Sequence, residues 1–453
     1  MNKEMRIEKI ELITQQDSFS QMELRWEDKL DNHPVYKIPL DYLIYNQYNG
    51  RILTRTKSLE AFGKKINPET DEGKKLIEKL LWESKEKSNK ITLENIRKYQ
   101  QEKPGIITRD GIIIDGNRRA MLLNKIDEYD YFKAVVLPVT LEDDPIGIEK
   151  LETSYQMGED KKLDYNPIEK YLKVQNLYNR GVEKRKISEW MGEDKGKIEE
   201  YLRVMRVMDD YLEYYDYENC YTQLDGREDL FINLARWIET YLGKDSEKGF
   251  DGYIEDDVND LEQIAYSYIR AKFEGKSFRL LAHGRKGSHF FGNKEIWSVF
   301  RDKHFDGIHV IEDNELAPDF GAFDVTSNLN DRDSKFAFEA NQLLTGNFKN
   351  ASQALRNNQH EGEPEKLIVE AFKKVSVAAR NDNSNTPEVV KEAVKLYDVV
   401  TKVVNNSTLE SFKKVLNHLK SVDLENYNNQ ESQELRDVLS EIQKTLNVLR
   451  KQI

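Results

Sequence analysis

Two adjacent arginines, Arg118 and Arg119, follow Gly116 and Asn117 at the end of an apolar run. That order of residue types suits capture of an anion. Glycine lets a ligand approach the backbone, and the first amides of a following helix point outward. Two guanidiniums beside them supply forked, charged donors. Asp115 and Gly116 close the run Ile112–Ile114, and Asn117 is placed to cap a helix over Arg118–Leu123. The stretch 105–123 therefore reads as strand, tight turn at Asp110-Gly111, strand, glycine loop, helix. The alternative is a surface hairpin whose following helix happens to carry two arginines.

Other candidate chemistry is sparser. The seven histidines are scattered and none stands in a His-Glu-x-x-His pattern. Cys220 is the single cysteine, so the chain has no disulfide framework or multi-cysteine metal site, which suits a reducing cytoplasm. Residues 279–294 gather Arg279, His283, Arg285, Lys286, His289 and Lys294 around Phe290-Phe291. Such a mixture suits nucleic acid or phosphate, or simply a solvated loop. Asp319, Asp324, Asp331, Arg332 and Asp333 match no nuclease spacing and read as surface.

The elements that must position these residues change character along the 453-residue chain. Residues 6–13 alternate and predict an edge strand, and residues 35–44 a strand meeting Pro39. Residues 58–66 and 74–100 predict helices, and Tyr131–Val139 a buried strand. This mixture predicts an α+β domain over residues 1–145. Residues 146–215 turn helical. Pro167 suits a first helical turn. A short helix around 187–191, a turn at 192–196 and a long helix from about Lys197 together predict a helix-turn-helix. Its DNA-contacting candidates are Lys195, Lys197, Arg203 and Arg206. Between 182 and 206 seven basic residues meet six acidic ones, a balance of +1, so a helical connector or protein-contact module is the alternative reading. Residues 216–350 predict a mixed, mainly helical domain with a strand at 307–311. Residues 351–453 predict a helical association domain ending in an apolar stripe from Leu435 to Ile453. That stripe can pack on the preceding helix or join two chains.

The formal net charge of −13 argues against wholesale coating of nucleic acid or of an anionic membrane, while leaving room for a local basic patch. No run of apolar residues reaches membrane-spanning length, and the amino terminus has no apolar signal core.

Three blocks in order resemble the ParB/sulfiredoxin-like superfamily: the turn Asn46–Arg51, the corner Gly116–Ala120, and the pair Glu152–Gln156 with Asn166–Glu169. The resemblance covers about residues 35–215. It departs at Thr153 and Met157, and about 30 additional helical residues, roughly 70–103, precede the hairpin. It implies a small mixed-sheet domain, then a helix-turn-helix, then a mostly helical carboxy-terminal half. It implies a nucleoside triphosphate, CTP or ATP with Mg2+, held by Arg118, Arg119 and the amides of Gly116 and Asn117, with Arg51 closing over it. Glu152 or Gln156 would orient a metal ion or water. Asp115 is either a turn residue or a group that holds magnesium or orients an arginine. The expected activity is a nucleotide-controlled engagement of DNA or a protein partner in the cytoplasm, in partition, transcription control or defence against mobile DNA. A homodimer would form through the carboxy-terminal helices. The alternatives are a nucleotide-dependent nuclease, NTPase or kinase with Glu152 or Asp115 as its catalytic residue, and a scaffold with a vestigial pocket.

Overall fold

The computed structural model describes residues 1–155, 166–243, 245–273, 275–315, 317–318, 325–359, 364–380, 386–405, 413, 416–417 and 429–450. The chain is α+β. Residues 1–359 form one compact unit and residues 360–453 another.

The first unit opens with helix α1 (Lys3–Thr14) where alternation predicts a strand. Arg6, Ile10 and Ile13 lie three and four apart, so they share a helical face, and Arg6 and Ile10 are buried on it. Asn2 starts the helix by accepting a hydrogen bond from the Met5 amide. Five strands follow: β1 (Ser20–Trp26), β2 (Lys29–Pro39), β3 (Gly105–Ile107), β4 (Ile113–Asp115) and β5 (Tyr131–Val136). Their order across the sheet is β1-β2-β5-β3-β4. All neighbouring pairs are antiparallel except β3 and β5.

Strand alternation divides the sheet's apolar residues between two cores. Ile38, Ile107, Ile113, Phe132 and Ala134 face the helices α3 (Asp71–Ser84), α4 (Glu86–Tyr99) and α5 (Asn117–Leu123). Val35, Ile106, Ile114 and Val135 face α6 (Pro145–Thr153) through Ile148 and Leu151.

Helix α2 (Leu53–Ala61) leaves this arrangement. Its Leu53, with the following Phe62, belongs to the large helical core of residues 168–355. That core is built by α7 (Pro167–Asn179), α8 (Lys184–Met191), α9 (Lys195–Tyr214), α10 (Glu228–Tyr241), α11 (Glu255–Arg270), α12 (Gly275–Phe278), α13 (Lys294–Glu312) and α14 (Val325–Gln359). Residues 307–311 are the end of α13, not a strand. Gly307 lets α14 pack closely against this stretch of α13. A Cβ there would lie 2.4 Å from Leu343 Cδ2, so glycine admits α14 against α13, and Ile308 is buried in the same contact.

Asp333 is buried as well, not on the surface. It accepts from Tyr217 Oη at 3.0 Å, Arg227 at 2.9 Å and Arg270 Nε at 2.9 Å. Asp319 and Asp324 lie outside the described residues.

The second unit contains α15 (Pro364–Ala378), α16 (Pro387–Asn405) and α17 (Asn429–Leu449). Val438, Leu439 and Leu446 of the predicted apolar stripe are exposed on α17.

Candidate anion-binding cavity and helix-turn-helix

The corner forms because β3 and β4 pair around the Asp110-Gly111 turn and β4 ends at Gly116. Gly116 has φ +105°, and a Cβ there would meet the Phe132 ring at 2.6 Å. Only glycine fits both demands. Gly116 occupies the cap position of α5, so Asn117 is not the cap. Instead Asn117 is buried and works as a tie. Its Oδ1 accepts from the Asn46 amide at 2.9 Å, and its Nδ2 donates to Ile113 O at 2.9 Å. The Asn46–Arg51 turn is thereby fixed against the corner.

Arg51, Asp115, Gly116, Asn117, Arg118 and Arg119 all line one cavity of about 360 Å³. The residues brought together from the sequence are thus neighbours across two separate loops. Arg119 is oriented by Asp115 and by the carbonyls of Lys103 (2.7 Å) and Pro104 (3.0 Å). Asp115 is thus paired with an arginine. Arg118 donates to Asn89 Oδ1, to Ser88 Oγ at 2.7 Å and to Thr92 Oγ1 at 2.9 Å. Asn89 is fully buried, and its amide also closes α3 by donating to Leu81 O and Trp82 O.

Helix α4 lies within the additional segment, and it forms a wall of the cavity through Thr92, Asn95, Ile96 and the following Gln100. These neutral donors and acceptors carry no motif. The usable signal is Asn89, an amide near the start of α4 that is fully buried. Lys103 and Tyr155 complete the lining, adding a cation and an aromatic ring. Four cationic side chains (Arg51, Lys103, Arg118, Arg119) face two carboxylates (Glu102, Asp115), which favours an anion.

Glu152 is not among these lining residues. It lines a separate cavity of about 540 Å³ with Tyr48, Lys173 and Arg180. Its Oε2 lies 3.0 Å from Lys173 Nζ, and its buried Oε1 has no hydrogen-bond partner among the described residues. Burial pushes the Glu152 carboxyl up, and the Lys173 ammonium opposes this. Burial works against the Lys173 charge, but Glu152 and Glu149 outweigh it. Gln156 lies outside the described residues. Among the described residues no group of three or more His, Cys, Asp or Glu side chains could hold a metal ion.

Glu169, from the third block, has a definite task. Its carboxylate accepts from the Leu53 amide at 3.2 Å and from Thr54 Oγ1 at 2.8 Å, at the start of the helix that follows Arg51. Burial raises its pKa to about 8, against the opposing pull of those hydrogen bonds and Arg55. Asn166 caps α7 by accepting from the Ile168 amide.

Helices α8 and α9 meet at Gly192, whose φ of +63° ends α8. Ile187, Met191, Ile198, Met205 and Met208 are buried between and beneath them. Lys195, Lys197 and Arg206 are exposed on α9. Lys197 pairs with Glu200 at 2.9 Å, and Arg203 pairs with Glu239 of α10. The four candidates therefore divide into three on open surface and one engaged against a neighbouring helix.

In the other basic stretch Phe290 and Phe291 are buried core residues, so they are not a platform for stacked bases. His289 is also buried, and burial lowers its pKa to about 4.

No protein-family model and no curated protein matches the chain. A solved structure described as the C2221 form of a Pnob8-like ParB-N domain is similar, at 12% sequence identity. The match covers 60% of this chain and 97% of that chain, with a TM-score of 0.33. Among the described residues no helix is long and apolar enough to cross a membrane.

Proposed function

We propose that residues 1–155 bind a nucleoside triphosphate, CTP or ATP with Mg2+, and that this binding controls DNA engagement by α8 and α9. The observation that carries the reading is the convergence of Arg51, Arg118 and Arg119 on one cavity beside Gly116. Phosphates need several charged donors held in place, and Asp115 and Asn89 hold two of the three guanidiniums. Tyr155 at the rim offers a ring for a base or sugar to rest on. The path to DNA runs through Glu169. A ligand that draws Arg51 inward pulls on the start of α2, which Glu169 bonds to α7, the helix preceding α8.

Binding, not turnover, is the proposed role. Glu152 is engaged with Lys173 and lines another cavity, so it is poorly placed to activate water at the arginine corner. Self-association is assigned to the exposed apolar residues of α16 and α17.

Calorimetry with CTP, ATP, GTP and UTP in the presence of magnesium tests the reading. Binding of at least one nucleotide by the full chain, abolished in Arg118→Ala/Arg119→Ala, is the expected result. Unchanged binding in that variant would put the site elsewhere.

A further inference from the structure

Residues 275–294 contain Lys276, Arg279, Arg285, Lys286 and Lys294 and no aspartate or glutamate. In a chain with 82 acidic residues among 453, a run of that length would ordinarily carry three or four. The segment is also firmly built. The Phe290 amide donates to Leu280 O at 2.8 Å and the Phe291 amide to Leu281 O at 2.9 Å, closing the base of a loop. Tyr241 Oη donates to Ala282 O at 3.0 Å, and Ser288 Oγ to Arg285 O at 2.7 Å. Phe278, Leu281, Phe290 and Phe291 anchor that base in the core.

What the loop presents outward is cationic. Arg279, His283, Arg285 and Lys286 are exposed, as are Arg236 on α10 and Lys248 in the adjoining turn. Arg279, Arg236 and Lys248 stand close enough to His283 that, after partial burial, their charges lower its pKa further. The acids at the edge are Asp251, which pairs with Lys286, Asp245 and Glu247 in the turn that carries Lys248, and Glu295 next to Lys294. The surface is continuous with the helix-turn-helix. Arg236 lies one turn before Glu239, and Glu239 holds Arg203 of α9.

We infer that Arg236, Lys248 and the loop Arg279–Lys286 form a second contact for the phosphate backbone of duplex DNA, beside α9. A rigid loop with exposed guanidiniums and ammoniums suits phosphates spaced along a strand, and it reads no base. This rests on the reading of α9 as a DNA-contacting helix and extends its footprint across α10. The contact supplies the positive charge that the nearly balanced helix-turn-helix lacks.

The test is fluorescence anisotropy of the full chain on a duplex spanning both surfaces, over a series of salt concentrations. Arg279→Ala/Arg285→Ala should weaken binding about tenfold and make the slope of log K against log salt shallower by about 1.8, for two lost phosphate contacts. If that variant misfolds, Arg279→Gln/Arg285→Gln keeps the side-chain stems and is read the same way. Wild-type affinity and slope in the loop variant, with binding lost in Lys195→Glu/Lys197→Glu, would overturn the inference and leave the α9 reading intact. Loss in the loop variant alone, with Lys195→Glu/Lys197→Glu binding as the wild type does, would overturn the inference of a second contact beside α9 and leave the loop as the contact itself. A wild-type chain that binds no duplex at low salt would overturn both.

Discussion

The arginine corner and the α9 surface use cations in opposite ways. At the corner, Arg118 and Arg119 sit in a concavity, and neutral amides, hydroxyls, carbonyls and one carboxylate fix their direction. On α9, Lys195, Lys197 and Arg206 stand on open surface, and Lys197 pairs there with Glu200. A concave site with oriented donors suits one compact polyanion, because the ordering cost is met before the ligand arrives. A convex face with mobile donors suits a long, regular polyanion that supplies its own geometry. The same residue types therefore imply different ligands, and position in the fold decides between them.

The largest expected effect breaks the corner. Arg118→Ala/Arg119→Ala removes two sets of charge-assisted hydrogen bonds, worth roughly 3–5 kcal/mol together, so nucleotide affinity should fall by about 100-fold or more. Duplex DNA affinity without nucleotide should not move, as anisotropy would show. Equal loss of both would mean that the two surfaces are one site.

The link between the regions comes next. The Glu169 pKa of about 8 in the folded chain lies above its ordinary 4.5, so the folded state holds this proton more tightly than the unfolded chain does. The stabilisation is complete below about 4.5 and is lost as pH rises through about 8. Thermal and denaturant unfolding should show stability falling by about 2–4 kcal/mol between pH 5 and pH 8. Glu169→Gln should flatten this dependence, with its amide oxygen kept as the acceptor for the Leu53 amide and its NH2 donating to Thr54 Oγ1 instead of accepting from it. A variant with the wild-type pH profile would count against Glu169 as its source.

A smaller effect concerns α9. Lys195→Glu/Lys197→Glu should weaken duplex binding by about tenfold at low salt, with a shallower salt slope and unchanged nucleotide calorimetry. The smallest effect sharpens the idea of orientation. Asn89→Ala leaves the charge of Arg118 in place but removes one acceptor that directs it, so nucleotide affinity should fall by roughly fivefold, about 1 kcal/mol. Nucleotide binding as tight as in the wild type would show that Arg118 needs no help from α4.

The corner was legible because its signals are local. A two-residue turn, a glycine with positive φ and paired arginines are neighbours in sequence, and Arg51 joined them through an order of blocks. The α4 wall of the cavity was not legible. Ser88, Asn89 and Thr92 are ordinary polar residues of a helix, and only tertiary packing aims them at Arg118. Glu152 shows the converse. Its residue type suggested a metal or base, but its character is set by Lys173, 21 positions away on another helix. The strand expectations at 6–13 and 307–311 failed for related reasons. Ile7, Ile10 and Ile13 recur every third residue, which fits a helix and not alternation, and Asn2 caps that helix. At 307–311 a β-branched run continues the helix that starts at Lys294, and α14 packs on it at Gly307.

Helix α2 has one more consequence, for anyone who would cut this chain. By sequence it lies among the sheet residues, yet Leu53 and Phe62 pack with residues after 168, and Thr54 and Ser58 are buried too. A fragment ending at residue 155 would present that apolar seam to water and leave the first amides of α2 without their carboxylate. Expressed alone it should be sticky and poorly behaved, while adding back residues 166–359 as a separate polypeptide should restore it. The boundary visible in the order of residues is not a boundary along which the molecule comes apart.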